Sequence, residues 1–300
     1  MRMTALKSWG LSMRTEKTVE KATESEILGD YSQIPALCRK GQVDRIIVAL
    51  DERRGKFPAE QLLLCRLKGI RVDDGMNFTE ELAGKLSIEN LYPSSLIFSN
   101  GFKRSIILRR IKRGFDVILS VLGLAISMPL TLLLSVAIRV DSPGPILYRQ
   151  ERVGKDGKIF RLLKFRSMRD GAEPNGPVWA NVSDERTTRV GKVIRKLRLD
   201  EIPQMVNVLR GEMSFVGPRP ERPFFVVELR RDIPYYFQRH TVKPGITGWA
   251  QIKCPYGASK EDALEKLKYD FYYIKHMSLF FDLMVILETI KTVLLGRGAR

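Results

Sequence analysis

The stretch Arg195-Lys-Leu-Arg-Leu-Asp-Glu-Ile-Pro-Gln204 decides how the rest of the chain is read. It sets two adjacent carboxylates, Asp200 and Glu201, directly behind three cations, Arg195, Lys196 and Arg198. Pro203 then lies within an apolar run, Ile202, Met205, Val206, Val208 and Leu209, that stops at Gly211. Proline is tolerated in the first turn of a helix and glycine commonly follows the last, so the run predicts a helix with Asp200 at or near its N-cap. An acid there is favoured by free N–H groups and by the helix dipole. Local sequence leaves two readings open: a capping acid beside a solvated glutamate, or a carboxylate pair that does chemistry. Two neighbouring segments weigh toward the second. Gly217-Pro-Arg-Pro220 is a stiff turn presenting one guanidinium, and Gly245-Ile-Thr-Gly-Trp-Ala-Gln251 is a glycine-bearing loop. Cations and glycine loops around a carboxylate pair suit a phosphate-bearing substrate with a divalent metal.

Three hundred residues allow one large or two smaller domains with a sizeable core. The net charge of +17 calls for an acidic partner, either nucleic acid or an anionic membrane surface. Zinc-finger spacing and other nucleic-acid signatures are missing, so no nucleic-acid partner is expected. Lys103, Arg104, Arg109, Arg110, Lys112 and Arg113 instead stand directly before an apolar segment, which favours anionic lipid headgroups. Cys38, Cys65 and Cys254 are far apart and fit reduced thiols, not a disulfide framework or a zinc site. His240 and His276 lack partners at metal-ligand spacing and read as structural.

Residues 1–26 are polar and read as a flexible lead-in without the apolar core of a signal peptide. Residues 27–100 alternate strand and helix. Arg45–Leu50 is a buried strand, Pro58–Leu67 a helix, Ile70–Val72 a short strand, and Ser95–Phe98 a last strand. Thr79 is expected to cap a helix through Leu86. This is a small α/β unit with a parallel sheet. Residues 101–300 form a second, mainly α (α+β) domain. In it, Val117–Ile138 carries no charge and as a helix would rise roughly 33 Å, enough to span a bilayer. Lys112 and Arg113 before it and Arg139 after it put both ends on the cytoplasmic side. Ser127-Met-Pro129 falls at its centre, and Pro129 removes the hydrogen bond to the Ala125 carbonyl. A re-entrant hairpin over about 113–140, broken at Ser127 and Pro129, satisfies both facts. Ile146–Val153 and Lys158–Phe165 read as a β-hairpin. Its Lys164, with Arg166 and Arg169 beyond it, either reaches phosphates or guards a strand edge. Asn175–Arg189 is polar and turn-rich, in the manner of a lid. Arg222–His240 mixes aromatics with arginines, as a headgroup-level segment or as a core helix with a basic face. The apolar helix after Met277 contains Asp282 and Glu288, which would be costly in lipid. It is expected to be amphipathic, packed on the domain or lying on the membrane.

Five motifs occur in order: Lys164-Phe-Arg-Ser-Met168, Leu199-Asp-Glu-Ile-Pro-Gln204, Asn207-Val-Leu-Arg-Gly211, Phe215-Val-Gly-Pro-Arg-Pro220 and Pro244-Gly-Ile-Thr-Gly-Trp-Ala-Gln251. Together they resemble the bacterial sugar transferase family, the monotopic phosphoglycosyl transferases that begin exopolysaccharide, capsule or O-antigen assembly. The resemblance runs from about Lys112 to the C-terminus. It implies transfer of a sugar-1-phosphate from a UDP-sugar to undecaprenyl phosphate with release of UMP, at the cytoplasmic face of the inner membrane. It also implies the re-entrant hairpin, amphipathic interfacial helices, contact with membrane lipids and Mg²⁺. Asp200 would be the nucleophile that carries a phospho-sugar ester. Glu201 would help hold Mg²⁺ or position the acceptor, with Asp200 sharing the metal. Arg195, Arg219, Lys164, Arg166 and Gln204 would contact substrate phosphates. Cations near Asp200 are expected to keep it ionised. The α/β unit resembles the end of a nucleotide-binding-like, Rossmann-like domain of larger members, but lacks their G-x-G-x-x-G loop and the four spanning helices before it. A regulatory scaffold or homo-oligomerisation element is expected there. The rival reading of the whole chain is a non-catalytic membrane scaffold for polysaccharide assembly.

Overall fold

The computed structural model describes residues 3–5, 26–29, 33–39, 43–49, 57–86, 88, 101–102, 105–169, 186–254 and 259–295. The expected strand Ser95–Phe98 and most of the expected loop from Asn175 lie outside these residues. The chain divides into two units, Met1–Ala83 and Gly84–Arg300.

In the first unit, β1 (Met3–Ala5), inside the expected lead-in, pairs antiparallel with β2 (Glu26–Gly29). Helix α1 spans Ile34–Arg39. Strand β3 (Arg45–Val48), helix α2 (Ala59–Leu67) and strand β4 (Arg71–Asp74) follow, and β3 and β4 are parallel as expected. Ile34, Cys38, Leu62 and Cys65 form the core beneath them, so the two thiols serve as small apolar groups. Helix α3 (Gly75–Ala83) begins earlier than expected, because Asp74 and not Thr79 supplies the cap. The Asp74 carboxylate accepts from Met76 N at 2.9 Å, while the Thr79 hydroxyl donates back to Gly75 O.

The second unit opens on α4 (Ile106–Asp141), 36 residues long and started by Ser105, whose hydroxyl accepts from Ile107 N. Next come the hairpin β5 (Leu147–Val153) and β6 (Ile159–Phe165), paired from Leu147↔Phe165 to Val153↔Ile159. Helix α5 is Arg189–Lys196 and α6 is Gln204–Arg210. Strand β7 (Ser214–Val216) is followed by α7 (Pro223–Asp232), then β8 (Gly245–Thr247), which lies parallel to β7. Helices α8 (Trp249–Lys253), α9 (Lys260–His276) and α10 (Leu279–Leu294) complete the unit. The largest core joins α7, α9 and α10 through Phe225, Leu229, Leu267, Phe271, Tyr273, Phe281 and Val285, with Trp249 wedged among them.

Among the described residues, α4 is the one helix long and apolar enough to cross a membrane. It continues through Pro129 as a single element. The Ser127 hydroxyl donates to Leu124 O at 3.4 Å, so it does not reach the Ala125 carbonyl that proline leaves without its donor. Both halves of α4 are anchored on the same unit. Near its start, Lys112 Nζ pairs with Asp282 Oδ2 at 2.6 Å, and Arg113 donates to Val208 O and Leu209 O. Asp116 Oδ1 accepts from Ser214 Oγ and Phe215 N, both at 3.0 Å. Near its end, Leu134 and Ile138 pack on Phe165 and Ile194, and Asp141 accepts from Val190 N. The opposite face is an exposed apolar stripe: Ile111, Ile118, Leu122, Ile126, Leu133, Val136 and Val140. A second exposed stripe, Phe280, Leu283, Leu287 and Ile290, runs along α10 at helical spacing. The acids that made α10 look expensive in lipid divide accordingly: Asp282 is buried against Lys112, and Glu288 pairs at the surface with Lys291.

His240 is buried and structural, as expected, with its Nδ1 against Phe237 O at 3.1 Å. Burial, helped by the Arg239 charge, pulls its pKa from 6.5 down to about 4, against the pull of the Phe237 carbonyl. Between those values the unfolded chain binds a proton that the folded chain refuses. Stability is therefore full above about pH 6.5 and falls as pH drops toward 4, by about 3 kcal/mol from this group. Denaturation of wild type and His240→Gln at pH 7 and pH 4.5 should show a smaller acid loss in the variant. Equal losses would mean that His240 is protonated in the fold.

Candidate active site

The site is built where β6, the α5–α6 connection and the loop after β7 meet. Thr188 caps α5 by accepting from Gly191 N at 3.0 Å. After α5 ends, Arg198 adopts a left-handed conformation (φ 54°, ψ 22°) and reverses the chain. That conformation costs an L-residue with a Cβ roughly 1–2 kcal/mol. Leu199–Glu201 then forms one 3₁₀ turn, and Pro203, not Asp200, occupies the cap position of α6. The expectation of a capping Asp200 is thus corrected: the reversal at Arg198 starts the turn early and leaves both acids ahead of the helix. Gly211 ends α6 with φ 84°, as expected.

Both carboxylates are held in the interior, each 8% exposed. Glu201 Oε1 accepts from Arg219 Nη2 at 2.9 Å and lies 3.3 Å from Lys164 Nζ. The same ammonium stands 3.8 Å from Asp200 Oδ2, so one lysine faces both acids. Their electrostatics diverge. Burial acts to raise the Glu201 pKa, but the charges of Arg219, Lys164 and Arg198 and the Arg219 hydrogen bond overcome it and hold the carboxyl below its ordinary value. For Asp200, burial prevails and raises the pKa, Lys164 opposing and the Glu201 charge adding to the rise. Burial outweighs the cations in setting the direction at Asp200, since Lys164 and Arg219 also bear on Glu201. Two adjacent carboxyls with opposite shifts have distinct chemical characters.

The other expected residues fall into two groups. Arg195 stays near the pair: its charge bears on Asp200 while its Nη1 donates to Thr187 Oγ1 at 3.2 Å. Gln204 is buried at the start of α6, and its Nε2 has no hydrogen-bond partner among the described residues. Arg166 goes elsewhere. Its Nη2 donates to Ser142 O at 2.6 Å, Ser142 Oγ at 3.0 Å and Ile138 O at 3.3 Å, so it caps the end of α4 and does not face the acids.

Several residues that position the site escape sequence reading. Asn207 is fully buried; its Oδ1 accepts from Leu163 N, and its Nδ2 donates to Arg161 O and Glu212 Oε2. It thereby fixes α6 against the strand that carries Lys164. A polar residue inside the apolar run of α6 was the available signal. The loop bearing Arg219 contains two prolines that cannot donate, and its carbonyls are held from outside. Lys112 and Tyr273 donate to Val216 O, Arg239 donates to Arg219 O at 3.1 Å, and Arg152 donates to Pro220 O at 2.9 Å. Arg239 is itself locked by Asp270 at 2.7 Å. The two glycine loops touch backbone to backbone. A Cβ on Gly217 would come within 2.5 Å of Lys243 O, and one on Gly245 within 2.2 Å of Gly217 N, so neither position admits a side chain.

Comparison with known proteins places this site in a family. Residues 107–296 match the family described as bacterial sugar transferase. The chain is 45% identical over 239 residues to the UDP-N-acetylgalactosamine-undecaprenyl-phosphate N-acetylgalactosaminephosphotransferase of Aeromonas hydrophila, covering 80% of this chain and 56% of that protein. It is 34% identical over 275 residues to the UDP-glucose:undecaprenyl-phosphate glucose-1-phosphate transferase of Escherichia coli K12, covering 87% and 57%. It is 36% identical over 199 residues to the exopolysaccharide production protein PSS of Rhizobium leguminosarum bv. phaseoli, covering 63% and 98%. The chain thus spans little more than half the length of the first two relatives and nearly all of the third. With the matched region containing α4, the acid pair and the Arg219 loop, the chain belongs to the bacterial sugar transferase family.

Proposed function

We propose that this chain transfers a sugar-1-phosphate from a UDP-sugar to undecaprenyl phosphate, releasing UMP, as the first membrane step of exopolysaccharide or related glycan assembly. The observation that carries this reading is the buried Asp200–Glu201 pair faced by Lys164 and Arg219 in a chain whose relatives are named for that reaction. In the first step an Asp200 oxygen attacks the β-phosphorus. The bond from that phosphorus to the oxygen bridging to the α-phosphate breaks, and UMP leaves with the bridging oxygen. In the second step a phosphate oxygen of the lipid attacks the same phosphorus, and Asp200 departs as a carboxylate. This is covalent catalysis by an acid that needs no general base once ionised. Lys164, Arg195 and Arg219 supply positive charge for the phosphoryl oxygens. Glu201, held ionised by Arg219 and Lys164, keeps those two cations in place.

Among the described residues no three His, Cys, Asp or Glu side chains gather as a metal cluster. Two carboxylates are nevertheless a fitting donor set for Mg²⁺, which commonly takes one or two protein carboxylates and completes its shell with water and substrate phosphates. Asp200 and Glu201 would hold it, and it would offset phosphoryl charge.

The anchoring of α4 supports a reading of how the chain meets the membrane. A helix held at both ends by one body cannot leave those ends on opposite sides of a bilayer. We therefore read α4 as entering and leaving on one side, with Pro129 as the weak point of a re-entrant hairpin. The stripes on α4 and α10 would meet lipid, and the basic residues before α4 would meet anionic headgroups. Such shallow immersion brings the acid pair to the headgroup plane of the cytoplasmic face of the inner membrane, where the acceptor phosphate lies. The N-terminal α/β unit is read as a scaffold or self-association element.

Two experiments test this reading. Full-length protein in nanodiscs should release UMP from at least one UDP-sugar when given undecaprenyl phosphate. Quenched with donor alone, it should carry a phospho-sugar on the peptide containing Asp200. Asp200→Asn should fold, lack the adduct and lose turnover by on the order of a thousandfold or more. An active preparation without adduct would indicate direct transfer instead. For topology, cysteines at Gly114→Cys and Pro143→Cys in a cysteine-free background should both react with an impermeant reagent from the cytoplasmic side. Labelling from opposite sides would rule out the hairpin.

A further inference from the structure

A cavity of about 150 Å³ adjoins Glu201 on the side of α8 and α10. One end is charged, with Arg198 and Glu201 at its wall. The body looks mixed in sequence, since three threonines contribute to it with Ile202, Met205, Ile246, Ile252 and Val293. Hydrogen bonding removes that ambiguity. The Thr292 hydroxyl donates to Glu288 O at 2.7 Å. The Thr289 hydroxyl donates to Val285 O at 2.7 Å and meets the Thr247 hydroxyl at 2.6 Å. All three hydroxyl protons are therefore used within the protein, so the threonines offer the lining methyl groups and acceptor lone pairs but no donor. Gln251 adds an amide whose Nε2 donates to Ile246 O and whose Oε1 is buried without a partner among the described residues. Met205 links the cavity to the membrane element, since its Sδ lies where a Cβ on Gly123 of α4 would be, at 2.7 Å.

An anionic-and-cationic end, an apolar body and a flank on the membrane helix describe the needs of one kind of molecule. It has a phosphate head and a hydrocarbon tail that enters from lipid. A sugar ring carries several hydroxyls that seek donors as well as acceptors, and the threonine hydroxyls here have no proton left to give. We infer that this cavity is the acceptor subsite, which receives the first isoprene unit of the polyprenyl phosphate and orients its phosphate toward Asp200. The size agrees: about 150 Å³ gives room for a small hydrocarbon group such as a five-carbon isoprene unit. The rest of the lipid stays in the bilayer. Ile252 and Val293 are thus acceptor-selecting residues that take no part in donor binding. The inference rests on the phosphoglycosyl transfer proposed above.

Two-substrate kinetics on the full chain in nanodiscs, with undecaprenyl phosphate and UDP-N-acetylgalactosamine or UDP-glucose, tests it. Val293→Phe fills the cavity from the last turn of α10. It should raise the KM for undecaprenyl phosphate about tenfold while leaving the donor KM and the acceptor-free burst of UMP unchanged. Ile252→Val removes one methylene-sized group from the wall and guards against misfolding of the larger change. It should raise the same KM about threefold, as expected for losing one buried carbon. A rise in donor KM would assign the cavity to the sugar and overturn the inference. Unchanged acceptor KM in folded variants would show an idle cavity and overturn it as well. If wild type releases no UMP from any UDP-sugar, the transferase reading itself fails and the inference falls with it.

Discussion

Glu201 is a carboxylate taken out of water, and such a group persists only when it is paired and hydrogen-bonded. Its partners come from two other segments: Lys164 at the end of β6 and Arg219 in the loop after β7. One ion cluster therefore ties together a hairpin, a strained turn and a proline-rich loop, none of which has a large core of its own. Removing both cations would leave a buried charge uncompensated, an effect on the order of 3–5 kcal/mol in buried pairs generally, and removing one would leave it partly compensated by the other. Asp200 benefits from this arrangement without sharing fully in it. Lys164 is 3.8 Å away and divided between two acids, so the burial of Asp200 is compensated less completely. The outcome is one carboxyl held below its ordinary pKa by cations and a neighbour raised above its own by burial.

The positions of those cations depend in turn on contacts far from the acids. Arg219 is aimed by the carbonyls around it, which are held by Lys112, Tyr273, Arg239 and Arg152. Lys112 belongs to α4, and its ammonium also meets Asp282 on α10. Helix α4 and the loop that carries Arg219 thus share a buried polar junction. Shifting α4 would disturb the carbonyl of Val216, three residues from Arg219. The same physics explains why α4 tolerates Asp116 and Ser120 on its buried face: each is satisfied by the domain or by its own helix, while the exposed stripe on the other face is apolar.

What was legible in the sequence had local causes. The charge-free run of α4, the alternation of β5 and β6 around a Gly-Lys-Asp-Gly turn, and the stop of α6 at Gly211 are set by side-chain period and backbone preference among near neighbours. The carboxylate pair and the guanidinium of the Gly-Pro-Arg-Pro turn stood out because charge and stiff turns are visible in one dimension. Even there, the local rule misplaced Asp200 at a helix cap, since nothing in the residue type of Arg198 announces a left-handed φ of 54°. Thr79 misled similarly, because Asp74 was the better-placed cap.

Which buried charges meet was decided by tertiary structure alone. Arg219 finds Glu201 across 18 positions, Lys164 finds it across 37, and Lys112 finds Asp282 across 170. Arg166, two residues from Lys164, donates at the end of α4 instead, to Ser142 O, Ser142 Oγ and Ile138 O. The threonines around the cavity read as donors in sequence and lose that capacity only because the fold uses their hydroxyl protons elsewhere. Sequence by itself determined the kinds of groups available and the elements that carry them. The tertiary structure determined their partners, because a buried polar group takes its character from whichever group the fold brings within hydrogen-bond reach.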